Sequence, residues 1–367
     1  MELTKCKLGE LITQRREKND GSDLPICGVS KDGLIPPKQK DADTSIYNVF
    51  YRDDFIFNPA RMELNSIAIN DMYDRAICSS LYEVFYVHRT DLLLPHYLKL
   101  IIRQKWFTRY CEFLGQGSAR EYCRFSNISE IEIEFPPVEE QQKIVDYNTV
   151  IENRIALKQK INDNLEATAQ AYFDNLFFSC DDTDCTLADI ALVNPSRPLS
   201  KGVEARCFDM STLPTSGCIP TGDTIKPYNG GVRFINGDTL IARITPCLEN
   251  GKAAYLNILN EGEVAFGSTE YIVFASKDDI PSCFYYFLIR NSKFVTFALQ
   301  FMNGSSGRQR VSGEELASFP LMTPSKEKLA AFNKVGKLVL EQMKEATEEI
   351  QLLKQLQETI TATLSSN

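Results

Sequence analysis

Two long stretches of the chain place apolar residues at helical rather than strand spacing. From residue 139 to residue 177 there is neither Pro nor Gly, and Ile144, Ile151, Leu165 and Tyr172 recur every seven residues, with Lys158 interrupting. Near the end Phe332, Val339, Ala346, Leu353 and Ile360 fill one unbroken heptad position, supported by Met343, Ile350 and Leu364 four residues on. Only Gly336 weakens the first turns of this second helix. An isolated helix cannot bury its own apolar seam, so the two stripes are expected to pack on each other within the chain. At about 1.5 Å per residue each helix spans roughly 55–60 Å.

The remainder mixes short β-type runs with a helix that follows a proline, at 97–110 and again at 284–301. This pattern occurs twice. Leu8-Gly-Glu-Leu-Ile12 recurs as Leu187-Ala-Asp-Ile-Ala191, and Tyr51-Arg-Asp-Asp-Phe-Ile-Phe57 parallels Ile235-Asn-Gly-Asp-Thr-Leu-Ile241. Ser80-Leu-Tyr-Glu-Val-Phe85 parallels Ser268-Thr-Glu-Tyr-Ile-Val-Phe274, and each copy ends on Phe-Pro (Phe135-Pro136; Phe319-Pro320) followed by a long helix. Turns are signalled by Lys31-Asp-Gly33, Asn229-Gly-Gly231 and Asn236-Gly237, whose residues tolerate positive φ. The fold class is therefore α+β: two tandem domains at 1–136 and 181–322, separated by long helices at 137–180 and 323–367, in a pseudo-two-fold internal repeat.

At 367 residues and 43% hydrophobic content the chain is long enough for two cores. No basic-then-apolar leader precedes Leu8 and no apolar run approaches the ~20 residues of a membrane span, so a cytoplasmic, membrane-free protein is expected. The eleven cysteines contain no Cys-x-x-Cys pair and read as reduced thiols, not as a disulfide framework or zinc site. His88 and His96 both fall near expected core segments, which disfavours histidine catalysis and metal binding. A net charge of −9 argues against an autonomous basic nucleic-acid module. The charge is spread, with 18 Lys+Arg against 20 Asp+Glu in residues 1–135 and 12 against 16 in 181–322. If DNA is bound, local arginines must do it, with a partner adding positive surface.

No catalytic residues or metal ligands are predicted. Base methylation requires a cofactor fold and an Asn-Pro-Pro-aromatic type element, whereas Asn58-Pro-Ala-Arg61 and Asn194-Pro-Ser-Arg197 share only its beginning. There is no Gly-x-x-x-x-Gly-Lys-Ser/Thr loop for ATP and no strand-borne Asp…Glu-x-Lys nuclease arrangement. The pairs Asp181-Asp182 and Asp278-Asp279 read as solvated linker and loop charge.

What remains is arginine accompanied by Gly, Ser and Asn at matching places in both copies. The first copy offers Arg61, then Gly117, Ser118 and Arg120 of a Gly-Ser-x-Arg loop, and Arg124. The second offers Arg243, Lys252 of Asn250-Gly-Lys252, then Ser305, Ser306 and Arg308 of the Gly304-Ser-Ser-Gly-Arg308 loop, and Arg310. A guanidinium can grip a phosphate or read guanine O6 and N7, and glycine lets the backbone approach. An ordinary surface charge or internal salt bridge is the competing reading for each.

These residues resemble type I restriction-modification specificity subunits. In the first copy the likeness runs through Phe57-Asn-Pro-Ala-Arg61, Ser80-Leu-Tyr-Glu-Val-Phe85, Gly117-Ser-Ala-Arg120 and Phe135-Pro-Pro-Val-Glu-Glu-Gln-Gln-Lys-Ile144. In the second it runs from Asn229-Gly-Gly-Val-Arg-Phe-Ile235 through Asn236-Gly-Asp-Thr-Leu-Ile-Ala-Arg243 to Lys252. Two departures stand out: Asn65 occupies a place where the first form carries glycine, and Pro324-Ser-Lys-Glu-Lys328 replaces the Pro-Glu-Glu-Gln pattern of 137–142. The resemblance implies a non-catalytic subunit whose two target recognition domains each read half of a split site in double-stranded DNA. The helices, packed as an antiparallel coiled coil, would set the spacing and dock two modification (methyltransferase) subunits, and restriction (motor and nuclease) subunits would join. It implies no cofactor in this chain; S-adenosylmethionine, ATP and Mg would belong to the partners. Two alternatives stay open: the recognition subunit of a bipartite-site type II system with a fused nuclease-methyltransferase partner, and a coiled-coil scaffold without DNA specificity.

Overall fold

A computed structural model describes residues 3–31, 33–37, 43–115, 122–305 and 307–363. The chain divides into two compact units, Met1–Asn153 with Leu353–Asn367, and Arg154–Leu352. The division falls inside the long helices, Val138–Phe177 and Lys326–Thr363, because their turns contribute to the globular cores. Ile144 and Val145 pack on the core of the first unit, while Ala169, Phe173, Phe332 and Leu340 belong to that of the second.

In the first unit an antiparallel pair, Thr4–Lys7 with Glu132–Phe135, closes the domain on itself. One four-stranded sheet runs in the order Ile12–Arg15, Glu83–Val87, Phe55–Phe57, Ile67–Ile69, and is antiparallel throughout. The other runs Gly33–Ile35, Ile26–Ser30, Arg75–Cys78, Asn48–Tyr51, with its central pair parallel. The strands are short and rich in Phe, Ile and Val; Phe55, Ile56, Phe57 and Ile67 are all fully buried, so both faces of the first sheet are covered.

The second unit repeats this order. Its closing pair is Cys185–Thr186 with Pro320–Leu321. One sheet runs Ala191–Val193, Tyr271–Ser276, Thr239–Ala242, Ala253–Tyr255, again antiparallel. The other runs Thr224–Pro227, Glu204–Phe208, Ala265–Gly267, Val232–Phe234, again with a parallel central pair. The repeat read from sequence is thus a repeat of topology. Gly231, at φ 105°, is required by a close approach, since a Cβ there would lie 2.1 Å from the Gly267 carbonyl oxygen.

The single helix expected after each proline is two. In the first unit Pro95–Ile102 and Lys105–Gly115 are separated at Arg103 and Gln104. In the second, Cys283–Arg290 and Ser292–Gln300 part at Asn291, whose side chain accepts from the Lys293 and Phe294 amides at 2.9 and 3.3 Å and so caps a new helix. The histidines are not core residues: His88 is exposed beside Thr13, and His96 lies 3.3 Å from Asp53 at a half-exposed site.

The long helices pack antiparallel in each unit. In the second, Asn162 Nδ2 approaches Thr347 Oγ1 at 3.3 Å, and the ring centroids of Tyr172 and Phe332 are 6.1 Å apart. In the first, Gln357 Nε2 donates to Asn148 Oδ1 at 2.8 Å. The interruption at Lys158 is explained by its ion pair with Glu349, at 2.6 Å. Gly336 has a packing cause as well, since a Cβ there would lie 2.8 Å from the Phe332 ring and 3.1 Å from Cys283 Sγ. Among the described residues no helix is long and apolar enough to cross a membrane.

Candidate nucleic-acid interface

In the first unit the strand Phe55–Phe57 runs out into Pro59–Leu64, two short 3-10 turns broken by a kink at Arg61, whose backbone is not helical (φ −139°, ψ 26°). Asn58 starts this segment, its Oδ1 accepting from the Ala60 amide at 3.1 Å, so the Asn-Pro sequence here serves as a cap. Asn65 ends it in the left-handed conformation, at φ 51° and ψ 42°, which asparagine tolerates much as glycine does. Its Nδ2 donates to the Ile102 carbonyl at 3.0 Å and to Thr108 Oγ1 at 3.1 Å, anchoring the turn to the helical layer. Arg61 is exposed on this turn, with no hydrogen bond or ion pair from its side chain among the described residues. It lines a cleft of about 820 Å³ together with Asn58, Tyr47, Tyr82 and Lys31.

The returning chain lies against the same turn: the Cys123 amide donates to the Pro59 carbonyl at 3.1 Å. That hydrogen bond brings Arg124 to the site, two-thirds exposed, with its guanidinium 4.0 Å from Glu83 and 5.9 Å from the Tyr122 ring. Glu83 is held by Gln14 Nε2 at 3.2 Å and by the Phe125 amide at 2.7 Å. Gly117, Ser118 and Arg120 lie outside the described residues.

The second unit builds the matching junction, with the Val311 amide donating to the Arg243 carbonyl at 3.1 Å. Paired hydrogen bonds between Asn303 and Arg310, at 2.9 and 2.8 Å, close the intervening loop, and the Arg308 amide donates to the Ser305 carbonyl at 2.9 Å within it. Ser305 and Arg308 are exposed at its end, and the Arg308 guanidinium has no partner among the described residues. Ser306 lies outside the described residues. The loop is fastened to the strand side where the Thr245 amide donates to the Gln309 carbonyl at 3.0 Å.

The other cations expected here differ from one another. Arg310 is committed to Glu270: its Nε lies 2.9 Å from both Glu270 oxygens, and Nη2 donates to Oε1 at 2.7 Å. The guanidinium holds the Glu270 carboxyl below the usual carboxylate range. Arg243 is half-buried, its Nε buried without a hydrogen-bond partner. Lys252 donates to the Met210 carbonyl at 2.7 Å and is half-buried, in a loop that Arg290 ties down through the Gly251 carbonyl at 2.8 Å. Asn194 of the second Asn-Pro sequence accepts from the Val273 amide at 2.9 Å and is likewise structural.

The structure therefore gathers Arg61 and Arg124 around one backbone hydrogen bond, and Arg243, Ser305, Arg308 and Arg310 around its counterpart. The residues overlooked in the sequence are the carboxylates that receive the loop arginines, Glu83 for Arg124 and Glu270 for Arg310. Both stand in the repeated Ser…Glu segments, at the head of the strand that leaves the site, and that recurrence was the available signal.

The chain matches the family described as type I restriction modification DNA specificity domain over residues 6–167 and 220–362. It is 28% identical over 197 residues to the specificity subunit of the type I restriction enzyme EcoEI of Escherichia coli, covering 50% of this chain and 32% of that protein. To the EcoAI specificity subunit of the same species it is 30% identical over 192 residues, with the same coverage. The chain spans about a third of the length of these curated relatives. Its fold is similar to the type I restriction-modification S subunit from M. genitalium, with a TM-score of 0.60 at 15% sequence identity, over 99% of this chain and 96% of that one. With the family match extending through both units, the chain belongs to the type I restriction-modification DNA specificity family.

Proposed function

We propose that this chain is the DNA-reading subunit of a type I restriction-modification complex, each recognition domain reading one half of a bipartite site in double-stranded DNA. The domains are taken as residues 1–136 and 181–322, with the helices at 137–180 and 323–367 as spacer. The observation that carries the reading is the duplicated site: the same strand order in both units ends in an arginine-bearing turn met by a returning loop, through Cys123 and Pro59 in one and Val311 and Arg243 in the other. Arg61, Arg124, Arg243 and Arg308, with Ser305, are assigned to the duplex, together with Gly117, Ser118, Arg120 and Ser306. Arg310 and Lys252, committed to internal acceptors, shape the loops that carry them.

The subunit itself performs no catalysis. Methyl transfer belongs to two modification subunits that bring S-adenosylmethionine, and cleavage to restriction subunits that bring ATP and Mg. Docking along the helix pair is supported by apolar side chains left exposed there: Tyr147, Val150 and Leu356 in the first unit, Leu157, Leu338 and Leu352 in the second. The length of the helix pair sets the number of unread base pairs between half-sites, one turn of B-DNA being about 34 Å. The complex acts in the cytoplasm, where its partners supply the positive surface that a chain of net charge −9 lacks.

Selection of bound duplexes from a random pool by the reconstituted complex tests this. A split motif is expected, with Arg61→Ala relaxing one half and Arg308→Ala the other. Recovery of unrelated sequences, or relaxation of both halves by either substitution, contradicts it.

A further inference from the structure

A second cleft of the first unit, about 900 Å³ in volume, opens beside the helix Lys105–Gly115. Five of its lining residues are cationic: Lys31, Lys99, Arg103, Lys105 and Arg109. Two of these are used by the fold, Lys99 facing Glu152 at 3.4 Å and Arg103 donating to the Ile67 carbonyl at 2.9 Å. Lys105 and Arg109, one helical turn apart and therefore on one face, are both exposed, as is Lys31. Among the described residues no carboxylate pairs with these three. By contrast, Lys5, Lys7, Arg15, Arg52, Arg75 and Arg89 of this unit each sit against an acidic side chain. The carboxylates that share the cleft are Asp71, Glu152 and Glu358.

Lys31 also lines the neighbouring cleft that holds Arg61. Cations with no carboxylate partner among the described residues thus continue from Arg61 past Lys31 to Lys105 and Arg109, which calls for an extended polyanion rather than a single small anion. Hydrogen bonds to phosphates fix the register of a protein on a duplex without reading sequence, and flexible lysines suit that task.

We propose that Lys31, Lys105 and Arg109 form a backbone-phosphate track for duplex DNA, separate from the base-reading loops. This rests on the DNA-reading role proposed above. The track orients the duplex so that the turn at Arg61 meets base edges. Because it engages only phosphates, it contributes equally to every sequence.

The test uses the complex assembled with its modification subunits, carrying Lys31→Ala, Lys105→Ala and Arg109→Ala together, or the charge-keeping Lys105→Arg. Binding to a duplex with the recognised motif and to a scrambled duplex is measured across salt. The slope of log affinity against log salt is expected to fall by about 0.9 for each phosphate no longer neutralised, on both duplexes alike, so that discrimination is kept. Lys105→Arg should keep the wild-type slope. An unchanged slope in the triple variant overturns the track, as does release of the modification subunits from the complex with the slope intact, which would assign the cleft to an acidic protein surface. Failure of the wild-type complex to distinguish the duplexes, with the slope change present, sinks the sequence-reading role and leaves the track standing; absence of any DNA binding sinks both.

Discussion

Arg15 donates from Nε and Nη2 to the two carboxylate oxygens of Asp54, at 2.6 and 3.1 Å, while its guanidinium lies within 4.7 Å of the Tyr51 and Tyr86 ring centroids. The second unit repeats the ion pair through a single hydrogen bond, Arg197 Nη2 donating to Asp238 Oδ1 at 2.7 Å. Each aspartate also accepts from the amide three residues earlier, Tyr51 at 2.8 Å and Ile235 at 2.9 Å, so each pair fixes the turn that leads into the mid-domain strand. Asp54 and Asp238 are almost completely buried. Removing one partner strands the other charge, so Asp54→Ala is expected to cost the first unit about 3 kcal/mol, measurable by urea denaturation.

The same carboxylates predict a pH signature. Burial raises the carboxyl pKa of Asp54 and of Asp238, against the opposing pull of their arginines and backbone donors. Their titration favours the fold below the unfolded value of about 3.9, and that advantage is lost as pH rises through the raised folded value. Glu270 behaves oppositely: its hydrogen bonds from Arg310 lower its pKa, so its contribution is present above the unfolded value and lost as pH falls through the folded one. Denaturation midpoints between pH 7 and pH 3.5 should therefore fall more steeply on acidification in Asp238→Asn, and less steeply in Glu270→Gln, than in the wild type.

Gln141 makes a third prediction. Fully buried at the start of the first long helix, it accepts from the Leu94 amide at 2.9 Å and donates to the Leu92 and Pro136 carbonyls at 2.7 and 2.8 Å. Gln141→Leu removes the partner of three backbone groups, the Pro136 carbonyl buried and the Leu92 carbonyl and Leu94 amide partly buried, and should destabilise the first unit by about 2 kcal/mol. Protection of the Leu94 amide in hydrogen exchange should drop with it.

Phe173 sits at the centre of the second unit's aromatic cluster, with the ring centroids of Phe177, Phe284 and Phe332 each about 5 Å away. Phe173→Ala is expected to cost about 3–5 kcal/mol, read from the denaturation of the second unit. A cost under about 1 kcal/mol would mean that the helix does not contribute to this core.

How far the sequence could be read follows from what each element displays. The apolar heptads of both long helices were visible because one seam position is almost purely hydrophobic. The other position of the first helix was not, because it carries Gln141, Asn148 and Asn162, which are buried yet polar. Asn-Gly signalled the positive φ at Gly237, but nothing local announced the same conformation at Asp53. The loop arginines could be picked out, whereas the commitment of Arg310 to Glu270 depends on residues 40 apart in sequence that only the sheet brings together. The cationic cleft was hidden for the same reason, since Lys31 and Lys105 come from a hairpin and a helix that show no joint pattern along the chain.

The measurement that bears most directly on sequence-specific reading is methylome sequencing of the source organism with this gene intact and deleted, the locus being expressed in the intact strain. Disappearance of one methylated, split motif on deletion, and its return on complementation, is the predicted result. An identical set of methylated split motifs in both strains would contradict it.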